Sequence, residues 1–357
     1  MNKKKSNKLN LIVCGIAFII MVFVLISEGI ENIINAILQL NPLFLLIAVG
    51  CMVLYWLGEA LGLHLAAKSL EPKTRFRDSF LVTMIGQYFN CITPFASGGQ
   101  PMQVYTYYKK GMPLGSAMTA LISRFIVYQF TLTLYSVVFL IFRLSMFTDG
   151  ELKPLTLLVI VGFVINTFVI VLLFMLAFFR AATTKLAHGV IKLLAKIRII
   201  KDPEDKLEYI DKELETYYKN FMFIKSKPVM ILKMFLVTVV QLLCYFSITY
   251  VIYIGFNIPH TTDFLTVIAC QAFVLMISAF VPLPGAMGAA EGSYAAFFKG
   301  IFGDYYTGVS TFIWRFLTFY LPILVGIVIN LKMSKSGVDL NNAEESLKKE
   351  EAEEQNG

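Results

Sequence analysis

Apolar residues run through this chain in long blocks rather than in alternation. Leu9 to Ile26, Pro42 to Leu70, Pro113 to Leu140, Pro154 to Phe179, Val229 to Ile254 and Gly308 to Leu331 are each poor in charge. A helix rises 1.5 Å per residue, so about 20 residues cross a hydrocarbon core of about 30 Å, and six crossing helices are predicted. The two-residue alternation of a membrane β-barrel is absent, so strands are not expected. Two further apolar stretches, Phe80 to Tyr108 and Phe264 to Phe298, are interrupted near their middles. The first breaks at Thr93-Pro94-Phe95-Ala96-Ser97-Gly98-Gly99-Gln100-Pro101, the second at Val281-Pro282-Leu283-Pro284-Gly285-Ala286-Met287-Gly288. Each reads as helix, break, helix: a re-entrant hairpin returning to the face it entered from. With six crossings the two hairpins open on opposite faces.

Composition supports lipid as the main solvent. Hydrophobic residues make up 57% of the 357 and charged ones 15%, with a mean hydropathy of +0.70, more apolar surface than one soluble core buries. The net charge of +7 gathers in particular flanks: Lys3 to Lys5; Lys68, Lys73, Arg75 and Arg77; Lys109 and Lys110; Arg180 onward; Lys332 and Lys335. Six crossings put all of these on one side, which the positive-inside rule makes the cytoplasm. A multi-pass protein of the cell membrane with both termini cytoplasmic is therefore expected, and a nucleic-acid partner is not. The first run follows a basic start but has no small-residue cleavage site, so it reads as a retained signal anchor. Cys14, Cys51, Cys91, Cys244 and Cys270 lie in or beside apolar runs without metal-ligand spacing and read as small hydrophobes. His64, His188 and His260 show no metal spacing either, and neither a metal nor a cofactor is expected.

The halves echo each other beyond their breaks. Arg124 with Phe125 follows the first hairpin and Arg315 with Phe316 the second, and Tyr105 to Gly111 resembles Tyr294 to Gly300. The predicted fold is an all-α polytopic membrane protein: six full crossings plus two broken hairpins in an inverted-topology repeat, with halves at about 42–142 and 229–332 in a membrane domain spanning 1–332. Between them, residues 180–227 mix Lys and Arg with acids and carry Leu186, Val190, Leu193 and Leu194 at helical spacing. An interfacial helix and then a soluble helix are expected there, anchoring to anionic inner-leaflet lipid. The charged tail, 333–357, reads as cytoplasmic and loosely ordered.

Irregular backbone at membrane depth survives only where protein or a wet cavity surrounds it, so both breaks are expected to line a cavity. Gly98, Gly99, Gly285 and Gly288 are expected to let the chain turn and a ligand approach, while Pro94, Pro101, Pro282 and Pro284 end the preceding helices. Free N–H groups at the second half-helices suit a phosphate or carboxylate. Arg124 and Arg315 lie inside apolar runs, where an unpaired cation costs at least about 2.5 kcal/mol. Either their forked donors hold a lipid phosphate, or Glu59 or Glu291 pairs with one of them, or the side chain snorkels to the interface. Glu291 either neutralises an arginine or receives a cationic headgroup, with Gln100 at the comparable place in the first break. Structural pairing is the preferred reading for Glu291 and for Glu59, with His64 about one turn further along the same run. Nucleophile elbows, Walker loops and acyltransferase His/Asp pairs are missing, so no catalytic residue is expected.

Pro94 to Tyr105 and Pro282 to Gly292 resemble the lysylphosphatidylglycerol synthase transmembrane-region family, with Ala286 replacing the second glycine of the usual Pro-Gly-Gly. The resemblance covers nearly the whole chain. It implies the membrane half of bacterial multiple peptide resistance factors, a flippase moving aminoacylated phosphatidylglycerol between leaflets. Arg124, Arg315, Glu291, Gly98, Gly99, Gln100, Gly285 and Gly288 then become the candidate headgroup site. The full-length factors carry a soluble domain that transfers lysine from lysyl-tRNA, hence the family label of phosphatidylglycerol lysyltransferase. About 25 residues follow the last predicted span, against the ~100 of a typical domain, so lysine transfer by this polypeptide alone is not expected. A stand-alone translocator, or one partnered with a separate lipid aminoacyl synthase, is expected. Self-association and transport of a small soluble anion stay open.

Overall fold

The computed structural model describes residues 38–142, 156–196 and 203–335, apart from positions 257, 260 and 280. The predicted first crossing with its basic start, Cys14, His260 and the tail beyond Lys335 lie outside the described residues. Helices run in the order α1 (Pro42–Leu70), α2 (Phe76–Ile92), α3 (Gly99–Lys109), α4 (Leu114–Phe142), α5 (Thr156–Phe178), α6 (Arg180–Lys196), α7 (Pro203–Lys225), α8 (Pro228–Gly255), α9 (Phe264–Ser278), α10 (Ala289–Arg315) and α11 (Leu321–Lys335). No strand occurs among the described residues. Among the described residues four helical stretches are long and apolar enough to cross a membrane: Pro42–Leu70, Leu114–Phe139, Pro228–Gly255 and Pro284–Asn330. Val159–Leu172 and Phe264–Ser278 are shorter apolar helices.

Local chemistry sets the boundaries. Pro42 opens α1, where the missing N–H of proline costs nothing, and the Asn41 carboxamide accepts from the Leu43 N–H at 3.0 Å. Pro228 opens α8 in the same way. Gly303 bends α10 at φ 72° and ψ 171°. A single π turn, Phe316–Tyr320, joins α10 to α11. Pro322 explains it, because without an N–H it cannot donate to the Thr318 carbonyl, and the ladder widens there.

After α1 and again after α8 the chain continues with a shorter helix, a 3-10 turn and a further helix, of 11 residues in α3 and 27 in α10. The turns, Pro94–Ala96 and Pro284–Ala286, share their backbone conformation. Thr93 and Leu283 sit at φ −115° and −114°, both with ψ 146°; Phe95 and Gly285 at φ 55° and 58° with ψ 17° and 18°; Ala96 and Ala286 at φ 51° and 53°. The matching stops there, since Gly98 has φ −80° and Gly288 φ 82°.

The long first helices of the halves, α1 and α8, pack along each other. They are antiparallel: the Asn41 N–H at the start of one donates to the Gly255 carbonyl at the end of the other, at 3.1 Å. Gly58 and Gly255 allow this closeness, a Cβ on the former falling 3.0 Å from the Gln241 Cβ and on the latter 2.7 Å from Leu40. The two 3-10 turns touch at the centre, beside a core built on Phe246, Phe273, Tyr294, Phe297 and Phe298. Polar side chains tie α5 to α4, Gln129 donating to Asn166 at 3.1 Å and Asn166 to Thr133, a common adhesive between helices that meet in lipid. The outward faces carry Leu43, Leu46, Leu54, Ile160, Val164 and Phe168, all exposed, which suits hydrocarbon rather than water. Residues 180–227 form two helices, as expected, but α7 is not free-standing: Tyr217, Tyr218 and Phe221 pack on Ile122 and Ile126 of α4.

Gly326 of α11 lies so close to the Tyr88 side chain of α2 that an added Cβ would overlap it, whereas Gly50 of α1 has nothing within 4 Å. Gly326→Val is expected to lower stability by about 1–3 kcal/mol through overpacking, and Gly50→Val far less. Thermal unfolding in detergent checks this, and equal losses in the two variants would contradict the packing.

Candidate intramembrane headgroup site

The second break is closed by one arginine. Arg315 donates through Nε to Glu291 Oε1 at 2.5 Å and through Nη2 to the Gly285 carbonyl at 2.6 Å. Glu291 Oε2 in turn accepts from the Gly288 N–H at 2.7 Å. One guanidinium and one carboxylate thus satisfy a carbonyl and an amide that the break leaves without helical partners. The guanidinium carbon also lies 4.5 Å from the Phe319 ring centroid, in cation–π range. Gly285 is required twice over: its φ is positive, and a Cβ there would run into Phe319.

The first break is closed differently. The Thr93 hydroxyl donates to the Phe89 carbonyl at 2.6 Å and accepts from the Gly98 N–H at 2.9 Å. The left-handed positions fall on Phe95 and Ala96, not on Gly98 or Gly99 as expected. Those glycines serve close packing instead: a Cβ on Gly98 would lie 2.6 Å from the Thr93 methyl, and one on Gly99 would overlap Asn90. Pro101 stands in the first turn of α3 and does not end a helix, while Pro94 and Pro284 open the 3-10 turns. Pro282 falls in the irregular stretch after α9. Matching Pro94 to Pro284 sets Pro101, not Gln100, opposite Glu291, and Gln100 is exposed.

Arg124 does not join the first break. Its Nη2 lies 3.1 Å from Glu59 Oε1 on α1, and the other Glu59 oxygen accepts from Gln87 on α2. Tyr128 lies 5.3 Å from the guanidinium carbon. His64 contacts the Ser79 hydroxyl at 3.2 Å, which also accepts from Tyr107 at 2.9 Å. Both predicted arginines are thus carboxylate-paired, Glu59 being 4% and Arg315 7% exposed.

Between the two breaks lies a cavity of about 170 Å³, lined by Asn90 and Phe95 from one side, Gly285 from the other, and Tyr245, Arg315 and Phe319 across the gap. Tyr245 also packs on Tyr55, ring centroids 5.1 Å apart, one turn before Glu59 on α1. Asn90, Tyr245 and Phe319 escaped the sequence reading, although Phe319 sits one helical turn after Arg315. Among the described residues no group of three His, Cys, Asp or Glu side chains could hold a metal ion.

With this geometry in view, the comparison with known proteins is decisive. Residues 10–326 match the family described as "Lysylphosphatidylglycerol synthase TM region". The chain belongs to that family. It is also 27% identical over 309 residues, 85% of this chain and 90% of its counterpart, to "UPF0104 membrane protein" of Archaeoglobus fulgidus. In this member of the lysylphosphatidylglycerol synthase membrane family, Ala286 follows Gly285 at a position whose φ is 53°. An L-residue there costs about 1–2 kcal/mol.

Ala286→Gly is therefore expected to raise stability by about 0.5–1 kcal/mol, the relief being offset in part by the greater freedom of glycine in the unfolded chain. Thermal unfolding checks the sign. For the buried pair, Glu59→Gln or Arg124→Met alone should cost about 3–5 kcal/mol, because an unpaired charge or an emptied partner remains. The double variant should recover at least half of the summed loss. A double-mutant cycle giving no coupling would show that the pair contributes nothing.

Proposed function

We propose that this chain is a flippase that moves an anionic or aminoacylated phospholipid, such as lysyl-phosphatidylglycerol, between leaflets of the cell membrane. The observation that carries this reading is the pair of 3-10 turns with the same backbone conformation, touching each other beside a cavity that holds Arg315. Paired breaks of this kind suit an inverted repeat with six crossings and cytoplasmic termini, in which a central site is offered alternately to the two faces. Family membership supports a lipid substrate.

In this reading an aminoacylated headgroup enters as the breaks part. In that motion the phosphate replaces Glu291 on Arg315, exchanging one charge-assisted pair for another. The displaced carboxylate is then free to receive the ammonium of a lysyl headgroup. Arg124, paired with the Glu59 carboxylate that also accepts from Gln87, offers a second carboxylate-paired cation on the same plan, and the acyl chains stay in lipid. Gly98 and Gly99 take part by letting the start of α3 lie close to Thr93 and Asn90, and Gln100 is open to a headgroup.

The test is leaflet-resolved movement of fluorescent phosphatidylglycerol and its lysyl derivative in proteoliposomes. The wild-type chain should accelerate both. Arg315→Lys keeps the charge but loses the fork that bridges Glu291 and Gly285, and is expected to slow movement at least tenfold with normal expression. Glu291→Gln should slow the lysyl lipid more than phosphatidylglycerol itself. Absence of protein-dependent movement of either lipid would overturn the reading in favour of a soluble anion, detected as saturable uptake.

A further inference from the structure

Helix α6 has two edges that the proposed translocation leaves unused. Its buried side, Thr183 and Ile191, faces the protein. It pairs with α7 in antiparallel fashion, with His188 Nε2 2.7 Å from Asp211 and Arg180 6.0 Å from the Tyr218 ring centroid. One edge is basic: Arg180, Lys185, His188 and Lys192 line an open hollow of about 780 Å³, and among the described residues no carboxylate lines it. The adjacent free edge is apolar: Met175, Ala182, Leu186 and Val190 line a second hollow of about 500 Å³. Lys185 and Gly189 belong to both, and Gly189 has nothing within 4 Å of where its Cβ would be, so the two hollows are continuous. Only Phe179 separates α6 from the apolar helix α5, which places α6 where that helix leaves hydrocarbon.

From this we infer that the outer face of α6 is a docking site for one anionic phospholipid of the surrounding leaflet. Its phosphate sits over Lys185 and Lys192 with Arg180 at the end of the row, and an acyl chain lies along Leu186 and Val190. Charge complementarity selects an anion, and the adjoining apolar hollow selects one that carries a chain rather than free phosphate. His188 is already engaged by Asp211 and plays the smaller part. The site is distinct from the cavity between the breaks and stands whether or not the chain moves lipid.

The test uses the full-length protein in lipid nanodiscs containing a trace of phosphatidylglycerol or phosphatidylcholine with a photoactivatable diazirine in the acyl chain. Crosslinks are mapped by mass spectrometry. Phosphatidylglycerol should label Met175, Leu186 or Val190 several-fold more than phosphatidylcholine does. Each lysine is worth roughly fivefold near an anionic headgroup, so Lys185→Gln with Lys192→Gln should abolish that preference and bring labelling by the two lipids to parity. Labelling of Leu43 and Leu46 on the outer face of α1 should stay the same, which separates loss of the site from loss of the fold. Equal labelling by the two lipids, labelling indifferent to the lysines, or no labelling of α6 would each overturn the inference. So would competition by inorganic phosphate, which would assign the basic hollow to a soluble anion.

Discussion

Hydrocarbon offers no hydrogen-bond partners, so every carbonyl and amide released where a helix breaks inside the membrane must be met by the protein. The rest of this structure follows from that constraint. In the second half, Arg315 meets it by reaching back to the Gly285 carbonyl while Glu291 takes the Gly288 amide. The ion pair between them makes each partner the other's counter-charge, so neither is stranded in a medium of low dielectric. In the first half the released groups lie at a threonine, and one hydroxyl suffices. The two breaks therefore share a backbone path but differ in what holds them. One is neutral and local, and the other is charged and draws on the following helix.

That difference bears on how the halves behave. A neutral hydrogen bond within one turn gives the first break little reason to respond to an ion, whereas the second break is held by the kind of pair that another anion or cation can enter. The cavity reflects this asymmetry, because its charge comes from Arg315 alone among the arginines, and Arg124 is engaged by Glu59 between α1 and α4.

Much of the architecture was legible in the residues. The long apolar runs declared their helices because a run of that length has few other uses, and Pro42 stood at the start of one of them. The breaks were visible as Pro and Gly within apolar sequence. Their internal geometry was not, because a left-handed φ at Phe95, Ala96 and Ala286 is imposed by tertiary packing against residue preference. Glu59 and Glu291 could be named as partners for the arginines from charge economy in lipid, yet which acid met which arginine depended on helix neighbours that no spacing reveals. Gln87, Asn90 and Tyr245 lay deeper still, since each matters only through what faces it from another helix. The docking of α7 on α4 was hidden for a plainer reason: its charged composition masks three aromatic positions on one side.

The span of chain between bonded partners also sets an order of assembly. Arg315 finds Glu291 and Gly285 within the same stretch of sequence, so the second break can close as soon as α10 is complete. Helix α1 is in a different position. The Gly255 carbonyl that accepts from Asn41, and the Gln241 side chain that Gly58 fits against, belong to α8 and leave the ribosome long after it. Until then α1 must rest with its glycine face turned to lipid or to the insertion machinery, although Glu59 finds Gln87 and Arg124 as soon as α2 and α4 have emerged. The first half can thus settle its intramembrane charge by itself, yet one long side of it stays uncovered until a helix made much later arrives.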